Sequence, residues 1–123
     1  MAYKVYFYRS SRGEREVRTF LRNLSFKSRA KCLHYLKKLK QDGTRLPSNI
    51  VKHLEGEIWE VRPEYGGIEY RFFFFLYRDV KIGIVSAAIK KQQKTKRAHI
   101  EKAMRLAEEM RANWEEMEHE KSC

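Results

Sequence analysis

The sequence predicts an α+β domain in which two N-terminal helices pack on an antiparallel β-sheet, with a C-terminal helix after it. Three observations lead there. Residues 57–97, EIWEVRPEYGGIEYRFFFFLYRDVKIGIVSAAIKKQQKTKR, alternate in the manner of three strands of a meander and end in a dense basic knot. Two stretches before them carry apolar residues at helical spacing. After about residue 95, apolar positions repeat close to every 3.5 residues. Strands of this kind need a helical layer or a second sheet on one face to bury Trp59 and the phenylalanines.

The first element is a strand over residues 3–9, with Tyr3, Val5 and Phe7 alternating with Lys4, Tyr6 and Tyr8. Ser11-Arg12-Gly13-Glu14 has the spacing of a capping box. Val17, Phe20, Leu21 and Leu24 then form one face of a short helix ending near Asn23. Ser25 can cap a second helix that runs to about Gln41 and stops at Gly43. Its apolar side is Ala30, Cys32, Leu33, Leu36 and Leu39; Lys27, Lys31, His34 and Lys38 make an outer stripe that reads as a solvated face. Residues 46–54, punctuated by Pro47 and Asn49, read as a loop, with Lys52 and His53 near its end.

In the meander, residues 58–62 put Trp59 and Val61 on one side and Ile58, Glu60 and Arg62 on the other. Residues 63–67 turn, and residues 68–77 form an aromatic strand that breaks at Arg78-Asp79. Residues 80–89 alternate again, Val80, Ile82 and Ile84 against Lys81, Gly83 and Val85. The last helix starts with Thr95 as its cap and carries Ile100, Ala103, Ala107, Met110, Trp114 and Met117 on one side. The order is β, α, α, β, β, β, α. Trp114 and Met117 are expected to cover the domain's own edge, with a partner-binding role as the alternative.

Length allows one domain over residues 1–123, with a helical acidic tail at about 107–123. The longest apolar run is strand-sized, and MAYKVYFYRS lacks the apolar region and cleavage site of a signal peptide, so a cytoplasmic protein without membrane association is expected. Cys32 and Cys123 fit free thiols, and the four scattered histidines show no metal-ligand spacing. Net charge is +11, of which residues 107–123 hold −4 and the remainder +15. A basic body of this size points to a polyanionic partner, or more blandly to solubility.

The placement of cations within the meander sharpens this. A register with Glu60 opposite Arg71 and Arg62 opposite Glu69 sets Arg62 and Arg71 on one face. A tight turn at Arg78-Asp79 then places Ser86 opposite Arg71, and the third strand delivers Lys90, Lys91, Gln92, Gln93 and Lys94 beside them. Converging guanidiniums and ammoniums suit phosphate. The same residues could instead form a cross-strand charge ladder and a solvated loop.

The ordered series Glu60-Val61-Arg62, Tyr70-Arg71, Lys90-Lys91-Gln92-Gln93-Lys94-Thr95 and Glu101-Lys102-Ala103 resembles the RelE/ParE superfamily of bacterial toxins, in its HigB-like, phage-related branch. The resemblance covers nearly the whole chain. Lys96 stands where the family usually has a proline, and the acidic tail is longer than the common core. The resemblance implies a RelE-like fold and the toxin of a type II toxin–antitoxin pair. It implies a ribosome-dependent mRNA endoribonuclease that inhibits translation, needs no metal or other cofactor, and is held inactive by a cognate, helix-turn-helix antitoxin. Two alternatives stay open: a ParE-like gyrase inhibitor, and a non-catalytic RNA- or antitoxin-binding module.

Metal-free RNA cleavage requires a 2′-OH to attack the adjacent phosphorus, with the proton removed, the phosphorane charge stabilised and the leaving 5′-oxygen protonated. Arg71 is the first candidate for charge stabilisation, assisted by Arg62 and by Lys90 or Lys91. For proton transfer the candidates are lysines whose pKa neighbouring cations would depress, and Glu60, Glu69, Tyr70 and His99, the last of which also reads as a surface histidine. Lys94 and Gln93 would hold RNA, and Tyr65 and Tyr70 could stack on bases or simply pack in the sheet.

Overall fold

The computed structural model describes residues 2–91 and 94–117. The chain runs β1 (Lys4–Phe7), α1 (Glu16–Arg22), α2 (Phe26–Asp42), a single 3-10 turn (Gly43–Arg45), β2 (Val51–Glu55), β3 (Ile58–Val61), β4 (Glu64–Tyr65), β5 (Ile68–Tyr77), β6 (Lys81–Ile89), α3 (Arg97–Ala112) and α4 (Trp114–Met117). The expected α+β architecture is present. The strands are ordered β1-β6-β5-β3-β2, with β4 pairing β5 at one end. Every pairing is antiparallel except the one between β1 and β6, which is parallel, so the sheet is mixed. No helix of the described residues is long and apolar enough to cross a membrane.

Helices cover both faces of this sheet, and that explains the run of four phenylalanines. Phe72 and Phe74 point to the side of α1 and α2, among Val17, Leu21, Cys32, Leu36 and Leu39. Phe73 and Phe75 point to the side of α3, among Ala103, Ala107 and Met110. A central strand covered twice has no solvent face to mark with polar residues. On α2 the buried residues are Ser28, Cys32, Leu36 and Leu39, whereas Ala30 and Leu33 are exposed, against expectation. Burial pushes the Cys32 thiol up to about 12, which keeps it protonated and inert.

Turn chemistry sets the register, two residues away from the one expected. Gly66 and Gly67 both take positive φ, 62° and 79°, the conformation of a two-residue hairpin turn that side chains resist. They place Tyr65 opposite Ile68 and Glu64 opposite Glu69. The same register continues into β3, where Glu60 faces Phe73 and Val61 faces Phe72. One step further, Arg62 comes opposite Arg71. A two-residue shift leaves the face of every side chain unchanged. Arg62 and Arg71 therefore do share a face, and Glu60 and Glu69 flank the pair diagonally, one on each side. On the other side of β5 a three-residue turn, which pairs Tyr77 with Lys81, and a bulge between Phe73 and Phe74 each shift the register by one, so Ala88, not Ser86, stands opposite Arg71.

Residues 51–55 form an edge strand rather than a loop, pairing Lys52 with Glu60 and Val51 with Val61. The helix ends also differ in part. Ser25 caps α2 as expected, accepting from the Ser28 N–H at 3.3 Å. The Ser11 capping box does not form: Ser10 Oγ accepts from the Glu14 N–H at 2.9 Å, and α1 begins only at Glu16. At α3, Lys96 occupies the cap position without a side-chain bond, because the Thr95 hydroxyl is drawn inward to other partners.

The end of α3 is tied to the sheet. The Tyr8 hydroxyl donates to Glu109 Oε2 at 2.5 Å. Burial, and then the carboxylate, raise the Tyr8 pKa well above its ordinary value. Trp114 turns back on the sheet and is buried edge-on to Tyr6 and Phe75 and stacked on Tyr77 at 4.4 Å. It covers the domain's own edge, while the Met117 side chain and residues 118–123 lie outside the described residues.

Candidate functional site

The face of the sheet beneath the start of α3 carries a row of charge across four strands: Lys52 on β2, Glu60 and Arg62 at β3, Glu69 and Arg71 on β5, and Lys90 just past β6. Two arginines brought directly opposite each other would repel. The flanking carboxylates resolve this, Glu60 by meeting both arginines and Glu69 by meeting Arg71. Arg62 Nε donates to Glu60 Oε1 at 2.8 Å. Arg71 Nη1 lies 3.8 Å from Glu60 Oε2, and its Nη2 lies 3.5 Å from Glu69 Oε1. Lys90 Nζ approaches the same Glu69 oxygen at 3.4 Å.

Glu60 is wholly buried, and so nearly is Arg71. A buried carboxylate persists only when its oxygens are matched by donors. Here the second oxygen accepts from the Thr95 hydroxyl at 2.9 Å, and that hydroxyl in turn accepts from Arg71 Nη1. Thr95 thereby pins the segment entering α3 onto the sheet. Its neighbours Lys94 and Lys96 remain exposed.

Above this row opens a groove of about 460 Å³, lined by cations from two directions: Lys52 and Arg62 from the sheet, Lys94, Lys96 and Arg97 from the segment above. His53 and the stem of Ile100 complete it. Its one acid among the described residues, Glu55, is bound by Arg97, whose hydrogen bonds hold the carboxyl below its usual pKa. The groove is therefore electropositive along its length, and suits a phosphodiester backbone better than any neutral ligand.

His99 sits one turn into α3, beside the groove rather than in it. Its ring stacks on Phe73 with centroids 6.0 Å apart, and it is half-buried. Its pKa is lowered, first by burial and then by the charges of Lys96, Lys102 and Arg71. A neutral imidazole can accept a proton at pH 7.

The expected site residues divide on this geometry. Arg62, Arg71, Lys90 and Lys94 come together through Glu60, Glu69 and Thr95, with His99 next to Arg71. Lys91 lines a second groove of about 480 Å³ at the sheet's tip, with Ile68, Ile89 and Lys90. Tyr65 is exposed on β4, near that tip. Tyr70 points to the opposite face of the sheet, where it is buried and meets Phe20 edge-on at 6.4 Å, so its ring is a core group. Gln93 lies outside the described residues. Sequence reasoning missed Lys52, Lys96 and Arg97; reading VKHLE as a strand would have put Lys52 on the Arg62 face.

Among the described residues no three His, Cys, Asp or Glu side chains converge to hold a metal ion. No curated protein matches the chain. A family described as phage-derived protein Gp49-like (DUF891) matches residues 19–108, which span α1 through most of α3 and all of the charged row. The chain belongs to this Gp49-like family, a RelE-like, toxin-like family of toxin–antitoxin systems.

Proposed function

We propose that this chain is a HigB-like toxin that cleaves mRNA on the ribosome without a metal ion, and that a cognate antitoxin restrains it. The observation that carries the reading is the electropositive groove over the charged row, with a half-buried histidine of lowered pKa at its side. Lys52, Lys94 and Lys96 would hold the backbone on either side of the scissile phosphate. The guanidinium of Arg62 would bridge two non-bridging oxygens as charge accumulates on the phosphorane. Arg71, held beneath it, adds positive potential without needing direct contact, and Lys90 extends that potential toward the sheet tip.

The chemistry closes with proton transfers. The 2′-OH loses its proton to a base and attacks phosphorus. The P–O5′ bond breaks, leaving a 2′,3′-cyclic phosphate, and the 5′-oxygen takes a proton. His99, neutral at pH 7, is suited to the first transfer; after accepting that proton it can supply one to the leaving group. A small basic domain can borrow the alignment of mRNA in the ribosome, which lowers the demand on its own acid and base.

Primer extension on a defined mRNA, with the purified protein and with or without translating ribosomes, tests this. Cuts within codons only when ribosomes are present are expected. Cuts in both tubes would make the protein a free ribonuclease. No cuts in either, together with gyrase-dependent DNA breaks in cells, would replace this reading with a gyrase-directed toxin.

A further inference from the structure

We propose that Glu60 is a positioning residue, which locks the Arg62 guanidinium so that its outer fork faces the phosphate. The inference rests on the ribonuclease reading and extends it. Arg62 gives its Nε–H to Glu60 Oε1 at 2.8 Å, and no other hydrogen bond or ion pair of this side chain occurs among the described residues. With Nε turned inward and Arg62 lining the groove, the two terminal nitrogens are what it presents there. Those are the donors that bridge two oxygens of one phosphate.

The anchor must itself be fixed, and Glu60 is. It is wholly buried, and its other oxygen accepts from Thr95 and lies 3.8 Å from Arg71 Nη1. A free arginine side chain would have to give up rotamer entropy on binding phosphate, and holding it beforehand removes much of that cost. Burial also answers an electrostatic objection. A carboxylate in a phosphate groove repels its ligand, but Glu60 lies under the arginines with its oxygens covered by donors. The same covering excludes Glu60 as the group that moves a proton, since it does not reach a substrate. A buried ion pair is weak as a stabilising device compared with apolar packing. Its placement here is accounted for by the direction it gives Arg62.

A double-mutant cycle decides this. Affinity for a short 2′-O-methyl RNA, which cannot be cleaved, is measured at fixed salt for the wild type, E60Q, R62A and the double variant, alongside cleavage of programmed ribosomes. E60Q is expected to weaken RNA binding about tenfold and R62A by about the same or more; the double variant should be no weaker than R62A alone. Losses that multiply, or an E60Q protein that binds as the wild type does, overturn the proposal. If E60Q does not fold, E60D replaces it in the same cycle, since it keeps the charge but withdraws the carboxylate by one methylene. Because binding is read separately, a wild type that binds RNA without cutting it refutes the ribonuclease reading alone.

Discussion

Thr95 donates its hydroxyl proton to Glu60 Oε2 at 2.9 Å, joining two residues 35 positions apart. The bond ties the segment carrying Lys94 and Lys96 to the strand carrying Arg62, and so closes the groove from above. Arg71 completes the arrangement by donating to the same hydroxyl. A residue expected to cap a helix instead organises the floor of a binding site.

Thr95→Val tests that role, since it keeps the volume and removes only the hydroxyl. Glu60 and Arg71 each lose a buried partner, which should cost about 1–3 kcal/mol in thermal or denaturant unfolding. RNA affinity should fall as well, because Lys94 and Lys96 are no longer held over Arg62. Thr95→Ser should restore both. If the valine variant melts lower but binds RNA unchanged, Thr95 serves the fold alone.

Much of the fold was legible in the sequence because face and period survive errors of register. The period of two in IWEVR and IEYRFFFF placed Arg62 and Arg71 together although the pairing was misjudged by two residues. Turn geometry caused that error: the glycine pair at 66 and 67 shares one conformation, and the bulge near Phe74 leaves no mark in composition. Strand β2 was hidden because Pro47 and Asn49 precede it and only Val51 and Leu54 are apolar. In the site, the cations and a charge ladder with Glu60 and Glu69 could both be read, and the ladder forms around Arg71; that Glu60 also bonds Arg62 on its own strand and lies wholly buried could not. Whether a carboxylate faces solvent or lies under an arginine is decided by the register and by what α3 covers.

His99 sets a pH expectation. Its pKa is displaced downward from 6.5 by burial and by three nearby cations. The neutral, proton-accepting form therefore persists to lower pH than for a free histidine, and cleavage that uses it should fall off only below about 6.5. His99→Gln should lower the single-turnover rate about 10²-fold or more and abolish that acid limb. A limb lying above 6.5, or one that persists in the glutamine variant, would assign proton transfer to another group.

Trp114 gives the acidic C-terminal part a structural test. Its ring is almost wholly buried against Tyr6, Phe75 and Tyr77, yet its Nε1 has no hydrogen-bond partner among the described residues. Packing alone therefore accounts for its contribution. Trp114→Ala should destabilise the domain by about 3–5 kcal/mol, and Trp114→Phe by distinctly less, since no hydrogen bond is lost. Equal losses in the two variants, measured by denaturant unfolding, would point to a missing polar contact instead.

The groove's lysines make the sharpest prediction about the ligand. Lys52 reaches it from β2, and Lys94 and Lys96 from the segment above, so a single strand lying along it meets one after another. Each phosphate neutralised releases bound counterions, and for single-stranded RNA the logarithm of affinity falls with the logarithm of salt by about 0.7 per contact. Replacing any one of the three by alanine should therefore weaken binding similarly for all RNA sequences and flatten the salt dependence by about that amount. Lys91→Ala, at the separate sheet-tip groove, should change the slope less. A slope altered by Lys91 but indifferent to Lys52 and Lys96 would move the RNA path from the groove beneath α3 to the tip of the sheet.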